Sequence, residues 1–129
     1  MNGRYLLDTN IVIAIFGAES SVLENLKDAI EVFVPSIVIG ELYYGAYKST
    51  RVAENILRTE EFASKNTILI CDTSTAQQYG RIKNVLRANG RPLPENDIWI
   101  AAIAEQHRLT LATRDAHFQE IATLQTDAW

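Results

Sequence analysis

Tyr5-Leu6-Leu7-Asp8-Thr9-Asn10-Ile11-Val12-Ile13-Ala14-Ile15 reads as three pieces in succession. Tyr5 to Leu7 is a short apolar run suited to a buried strand. Asp8-Thr9-Asn10 turns the chain, and Ile11, Val12, Ala14 and Ile15 then recur as the inward face of a short helix, which Gly17 stops. In α/β proteins the carboxyl ends of parallel strands and the neighbouring helix N-termini converge on one crevice. An aspartate at the junction of this strand and helix therefore faces a position where other parts of the chain can meet it.

The alternation continues. Ser20 and Ser21 can cap a second helix, Val32-Phe33-Val34 is a strand closed by Pro35, and Ser36 is placed to cap a helix with Glu41 in its second turn. Arg51 to Lys65 is amphipathic, with Val52, Ile56, Leu57 and Phe62 inward. Ile68-Leu69-Ile70 is a third strand, and Ser74-Thr75-Ala76-Gln77 matches a capping box for a helix ended by Gly90. Pro92 and Pro94 hold a loop. Asn96 is placed to cap a helix that is apolar along almost its whole length from Ile98 to Ala104, as a central buried helix would be. Leu109 to Ala112 is a fourth strand ending in Thr113-Arg114-Asp115, followed by a short helix near His117 to Ala122 and a weak strand around Gln125. The expected fold is a single α/β domain over residues 1–129, with a central, mainly parallel sheet of four to five strands covered by helices on both faces.

Four acids sit at strand ends or helix starts in this scheme: Asp8, Glu41, Asp97 and Asp115. Each has an ordinary structural use. Asp8 can cap or turn, Asp97 in a first helical turn is favoured by the macrodipole by ~0.3–1 kcal/mol, and Asp115 can turn the chain after a strand. Glu41 is the exception, because its helix neighbours are apolar and an unpaired charge among them is costly. Together the four carboxylates share one rim. They would repel one another unless protonated or neutralised by a hard cation, and an all-oxygen donor set suits Mg²⁺ or Mn²⁺. Phosphoryl transfer and phosphodiester hydrolysis are the reactions such a centre supports.

Composition narrows the classes. With 129 residues, 47% of them hydrophobic, the chain can bury a core of its own. Cys71 is the sole cysteine, so no intramolecular disulfide and no Cys/His zinc site is expected, which fits a reducing cytoplasm. There is neither a membrane-length apolar run nor a signal-peptide core. The net charge of −4 argues against a general nucleic-acid coat protein but not against a nuclease, since a bound divalent ion reverses the local sign. Lys48, Arg51, Arg58, Arg81, Lys83, Arg87 and Arg91 could rim an acidic centre, although solvated helix faces are the plainer reading. His107 and His117, at helix ends, are given no catalytic part. Tyr44 and Tyr47 suit a partner interface better than base stacking.

LLDTNIVIA (6–14), VPSIVIGELYYGA (34–46) and NDIWIAAIAEQHRLTLATRDAHF (96–118) resemble the PIN domain, and within it the VapC toxins of bacterial type II toxin–antitoxin pairs. The resemblance spans nearly the whole chain in the right order. It implies a three-layer α/β/α sandwich and Mg²⁺- or Mn²⁺-dependent endoribonuclease activity on transfer or ribosomal RNA. Family acids fall on Asp8, Glu41, Asp97 and Asp115. Asp8, Asp97 and Asp115 would be metal ligands, Glu41 a proton acceptor for the attacking water, and Thr9, Asn10, Asn96 and Thr113 supporting groups. Water as nucleophile implies 5′-phosphate and 3′-hydroxyl products. A cognate antitoxin and a toxin homodimer are also implied.

Two other classes compete. A phosphoaspartyl enzyme or receiver also places an aspartate after its first strand, but the haloacid-dehalogenase pattern needs a second aspartate where Asn10 stands, and a receiver needs a lysine at a late strand end, which Leu109 to Thr113 lacks. A non-catalytic binding module would use the acids only for a structural ion.

Overall fold

The computed structural model describes residues 3–129. Five strands, β1 (Arg4–Leu7), β2 (Glu31–Pro35), β3 (Thr67–Leu69), β4 (Thr110–Ala112) and β5 (Thr126–Asp127), form one sheet in the order β3-β2-β1-β4-β5, with every neighbouring pair parallel. Six helices connect them: α1 (Thr9–Phe16), α2 (Ser20–Asp28), α3 (Ser36–Lys48), α4 (Val52–Lys65), α5 (Thr73–Ala88) and α6 (Glu95–Gln106), with a 3-10 helix over Ala116–Glu120. The chain builds outward from β1 through β2 to β3, then reverses to β4 and β5. With right-handed crossovers, that reversal puts α5 and α6 on the face opposite α1 to α4, giving three layers.

The reversal makes β1 and β4 the switch point of the sheet. Leu6 pairs with Leu111 and Leu7 with Ala112, and all four are fully buried. The Asp8 amide continues the ladder to the Ala112 carbonyl (3.0 Å), and the Thr113 amide bonds the Asp127 carbonyl (3.0 Å). Asp8 and Thr113 thus leave the sheet side by side at its carboxyl end, where α/β sheets open their crevice. Across the layer, Ile98 and Ile100 to Ala104 of α6 are all buried, as expected for a helix apolar on every side. No helix among the described residues is long and apolar enough to cross a membrane.

Several helix starts differ from the sequence reading. Glu19 and Pro35 occupy the N-cap positions of α2 and α3 without a side-chain cap, so Ser20 and Ser36 are first helical residues. The capping box of α5 is formed by Asp72 and Thr75 instead of starting at Ser74. The Asp72 carboxylate accepts from the Thr75 amide and the Asp72 amide donates to the Thr75 hydroxyl, each at 3.0 Å. A charged acceptor gains from the helix dipole what a serine hydroxyl does not, which moves the start back. Pro94, with fixed φ and extended ψ, is the N-cap of α6, so Asn96 lies inside the first turn. On α4, Leu57 and Val52 face solvent, while Thr59 is buried against the neighbouring helix.

Candidate active site

Asp8 is the best-fixed member of the acid group. It is 5% exposed and is the N-cap of α1. Its Oδ1 accepts from the Thr9 amide (2.8 Å), and its Oδ2 accepts from the Thr113 hydroxyl (2.7 Å) and more weakly from Asn10 Nδ2 (3.4 Å). The same Thr113 hydroxyl accepts from the Asp115 amide (3.0 Å), so one buried side chain ties the end of β1 to the turn after β4. Thr9 donates its hydroxyl to Glu41 Oε1 (3.0 Å), drawing α3 to the same point, and Asn10 Oδ1 accepts from the Arg114 amide (3.2 Å). Three of the four supporting residues, Thr9, Asn10 and Thr113, therefore bridge the acids or their loops. Asn96 does not: it is exposed, and none of the described hydrogen bonds joins it to an acid.

Asp97 comes from the first turn of α6 and Asp115 from the turn before the 3-10 helix. Between them stands His117, with Nε2 2.7 Å from Asp97 Oδ2 and Nδ1 2.9 Å from Asp115 Oδ1. Donor atoms of Asp97, Asp115 and His117 all lie within 4.8 Å of one another. The tight donor cluster thus includes a histidine to which the sequence reading gave no part, while Asp8 lies deeper, engaged by its hydrogen bonds. The local signal for His117 was its spacing of two from Asp115, which lets the imidazole fold back in a tight turn. Its contact with Asp97, twenty residues away, is tertiary and left no local trace.

The electrostatics of the group point one way. Burial raises the pKa of Asp8 above the usual aspartate range against the pull of the Thr113 and Thr9 hydrogen bonds, and the charges of Asp97 and Asp115 push it further. Glu41 is raised by burial and by Asp8 and Asp97, with the Thr9 bond opposing. Asp97 is raised by burial and by Asp115, with His117 opposing. Neighbouring carboxylates thus make ionisation of Asp8, Glu41 and Asp97 more costly, which is the condition a divalent cation relieves. Arg114, the nearest arginine in sequence, is turned away to Glu19 and the Trp129 carbonyl. The donors present, several carboxylates and one imidazole, fit a hard or borderline divalent ion.

Of the basic side chains considered as a rim, Arg51, Arg81, Lys83 and Arg91 pair with Glu54, Glu105, Glu95 and Glu120. Arg58 lies over the Phe16 ring and Lys48 over Tyr44. Beside Glu41, a groove of about 220 Å³ is lined by Thr9, Ile13, Phe16, Asn55 and Arg58 among others, with Ile13, Tyr44 and Tyr47 exposed around α1 and α3. The late strand end carries Thr113 and no lysine, as the receiver class would need.

Comparison with known proteins agrees with this geometry. The PIN domain family matches residues 5–124. Ribonuclease VapC2 of Haemophilus influenzae is 38% identical over 129 residues, and the tRNA(fMet)-specific endonuclease VapC of Shigella flexneri is 33% identical over 130 residues, each alignment covering 98% of both chains. Among solved structures, a chain of VapBC2 from Rickettsia felis bound to a promoter DNA fragment superposes with a TM-score of 0.89 at 30% identity, covering 97% of this chain and 98% of that one. A sheet whose switch point gathers four acids, matched over nearly its whole length, places the chain in the PIN-domain family, within its VapC branch.

Proposed function

We propose that the chain is a divalent-cation-dependent endoribonuclease, the toxin of a VapBC-type pair, hydrolysing RNA of the transfer or ribosomal class. The observation that carries this reading is the meeting of Asp8, Glu41, Asp97 and Asp115 at one crevice, three of them raised in pKa by burial and by one another. Asp97 and Asp115, with Asp8 directly or through water, would hold Mg²⁺ or Mn²⁺. Such an ion, when bound, supplies a Lewis acid for a non-bridging phosphate oxygen and lowers the pKa of nearby water.

The chain's own groups do the rest. Asp8 is held by Thr9 and Thr113 as a fixed negative charge that needs no reorganisation when substrate arrives. Thr9 engages Glu41 Oε1, leaving Oε2 to take the proton of the attacking water. In-line attack by water, with loss of the 3′ oxygen, leaves a 5′-phosphate and a 3′-hydroxyl. The name of the Shigella relative, a tRNA(fMet)-specific endonuclease, supports transfer RNA as the substrate class. Relatives solved as VapBC complexes support a cognate antitoxin, and the apolar groove beside Glu41 is a suitable seat for its C-terminal segment. A homodimer acting in the cytoplasm completes the proposal.

The test is incubation of purified protein with end-labelled transfer RNA in Mg²⁺, in Mn²⁺ and in EDTA. Cleavage that needs the cation, leaves ligatable 5′-phosphates and is lost in Asp8→Asn is the expected result. Cleavage in EDTA, or full activity of Asp8→Asn, would overturn the assignment.

A further inference from the structure

Asp115 stands at the end of a three-residue turn, Thr113-Arg114-Asp115, that belongs to neither helix nor strand, and its side chain is 45% exposed. Thr113 and His117 reach it from within the same segment. Arg114 adds three anchors outside that segment and outside the acid group. Its amide donates to Asn10 Oδ1 (3.2 Å), its Nε donates to the Trp129 carbonyl (2.9 Å), and a terminal nitrogen pairs with Glu19. These partners come from α1, from the segment after β5 and from the N-cap of α2.

The carbonyl anchor is itself firmly held. β5 pairs with β4 at only two positions, Leu111 with Thr126 and Ala112 with Asp127, a weak hold for the residues that follow. Trp129 supplies the rest. It is 7% exposed and meets the Tyr5 ring edge-on at 4.8 Å. Its Nε1 donates to Asp127 Oδ2 (3.3 Å), which also accepts from the Tyr5 hydroxyl (3.3 Å). A guanidinium donates along fixed, coplanar directions, so one Arg114 side chain holds the carbonyl and Glu19 together. The half-exposed Glu19 pair contributes little by itself, which leaves the part-buried carbonyl bond as the main clasp.

We propose that Arg114 is a positioning residue of the cation centre: clasped to the Trp129 carbonyl, it holds the turn that presents the Asp115 carboxylate to the ion. This inference rests on the acids forming the cation site proposed above. Arg114 acts through Asp115 and is itself neither a metal ligand nor a catalytic residue.

Isothermal titration of the metal-free protein with Mn²⁺ tests it, for wild type, Arg114→Ala, Arg114→Lys, Glu19→Gln, Asp115→Asn and the variant combining Arg114→Ala with Asp115→Asn. Groups that orient metal ligands are worth about 10–100-fold in affinity, so Arg114→Ala should weaken the Mn²⁺ Kd about tenfold or more. Arg114→Lys keeps the charge but loses the planar fork, and should stay weakened by at least about threefold. Glu19→Gln should change the Kd by less than about threefold. In the Asp115→Asn background, Arg114→Ala should add less than about twofold, because the group it positions is already gone. A general loss of stability would not produce that non-additivity. Wild-type affinity in Arg114→Ala or Arg114→Lys, an equal loss in Glu19→Gln, or the full loss recurring in the Asp115→Asn background overturns the role of Arg114. If Asp115→Asn alone binds Mn²⁺ as wild type does, the cation site fails first and the role of Arg114 falls with it, which separates the two failures.

Discussion

Replacing Thr113 by valine should loosen the whole acid group. The side chain is 4% exposed, and valine keeps its shape while removing the hydroxyl. Two hydrogen bonds go with it: the donation to Asp8 Oδ2 (2.7 Å) and the acceptance from the Asp115 amide (3.0 Å). A hydrogen bond to a charged group contributes about 1.5–3 kcal/mol and a neutral one about 1 kcal/mol, so the variant should lose roughly 2–4 kcal/mol at neutral pH. The loss has a definite pH dependence. The Thr113 bond pulls the Asp8 pKa down against burial, so without it that already raised pKa rises further. A raised folded-state pKa means stability that fades as pH climbs through it, and the variant reaches a higher folded pKa than wild type. The gap between the two proteins should therefore widen as pH rises through the Asp8 titration and shrink in acid. Urea unfolding in EDTA at pH 5 and pH 8 measures both quantities. A loss below about 0.5 kcal/mol at pH 8, or a gap larger in acid, would refute the buried-network reasoning.

Further outcomes follow from the same geometry. Because Asp8, Glu41 and Asp97 all have raised pKa values, the metal-free protein should lose stability as pH rises above the range where these acids ionise in the unfolded chain, and Asp97→Asn should show a shallower slope in thermal melts with EDTA. Added Mn²⁺ at about a hundred times its Kd should stabilise wild type by about 2.7 kcal/mol and leave Asp97→Asn little changed, as denaturant titration would show. Ile13→Asp, at an exposed position on the groove wall, should change stability by less than about 0.5 kcal/mol and preserve cleavage, yet weaken antitoxin binding at least tenfold in a direct binding assay.

Residues whose role is set by neighbours in the chain were readable, and those whose role is set across the fold were not. Tyr5 to Ile15 announces a strand, a carboxylate and a helix because period and punctuation are local, and Ile98 to Ala104 declares a buried helix for the same reason. Glu41 stood out through its apolar neighbours, and the structure meets that oddity with the Thr9 hydroxyl. Caps were misplaced at Ser36, Asn96 and Ser74 because a proline or a carboxylate one or two residues earlier competes for the same helix end. The fifth strand, Thr126–Asp127, exists by pairing with β4 and has almost no pattern of its own. His117 was assigned to a helix end, as isolated histidines often are. Its meeting with Asp97 depends on α6 and the turn after β4 lying side by side, which no local spacing encodes.

An anomalous-difference map from crystals grown with Mn²⁺ addresses the central claim most directly. The strongest peak should lie within coordination distance of the Asp97 and Asp115 carboxylates, at the crevice that Asp8 borders, and should vanish in Asp97→Asn crystals. An ion held elsewhere, or an empty crevice at saturating Mn²⁺, would contradict the cation centre.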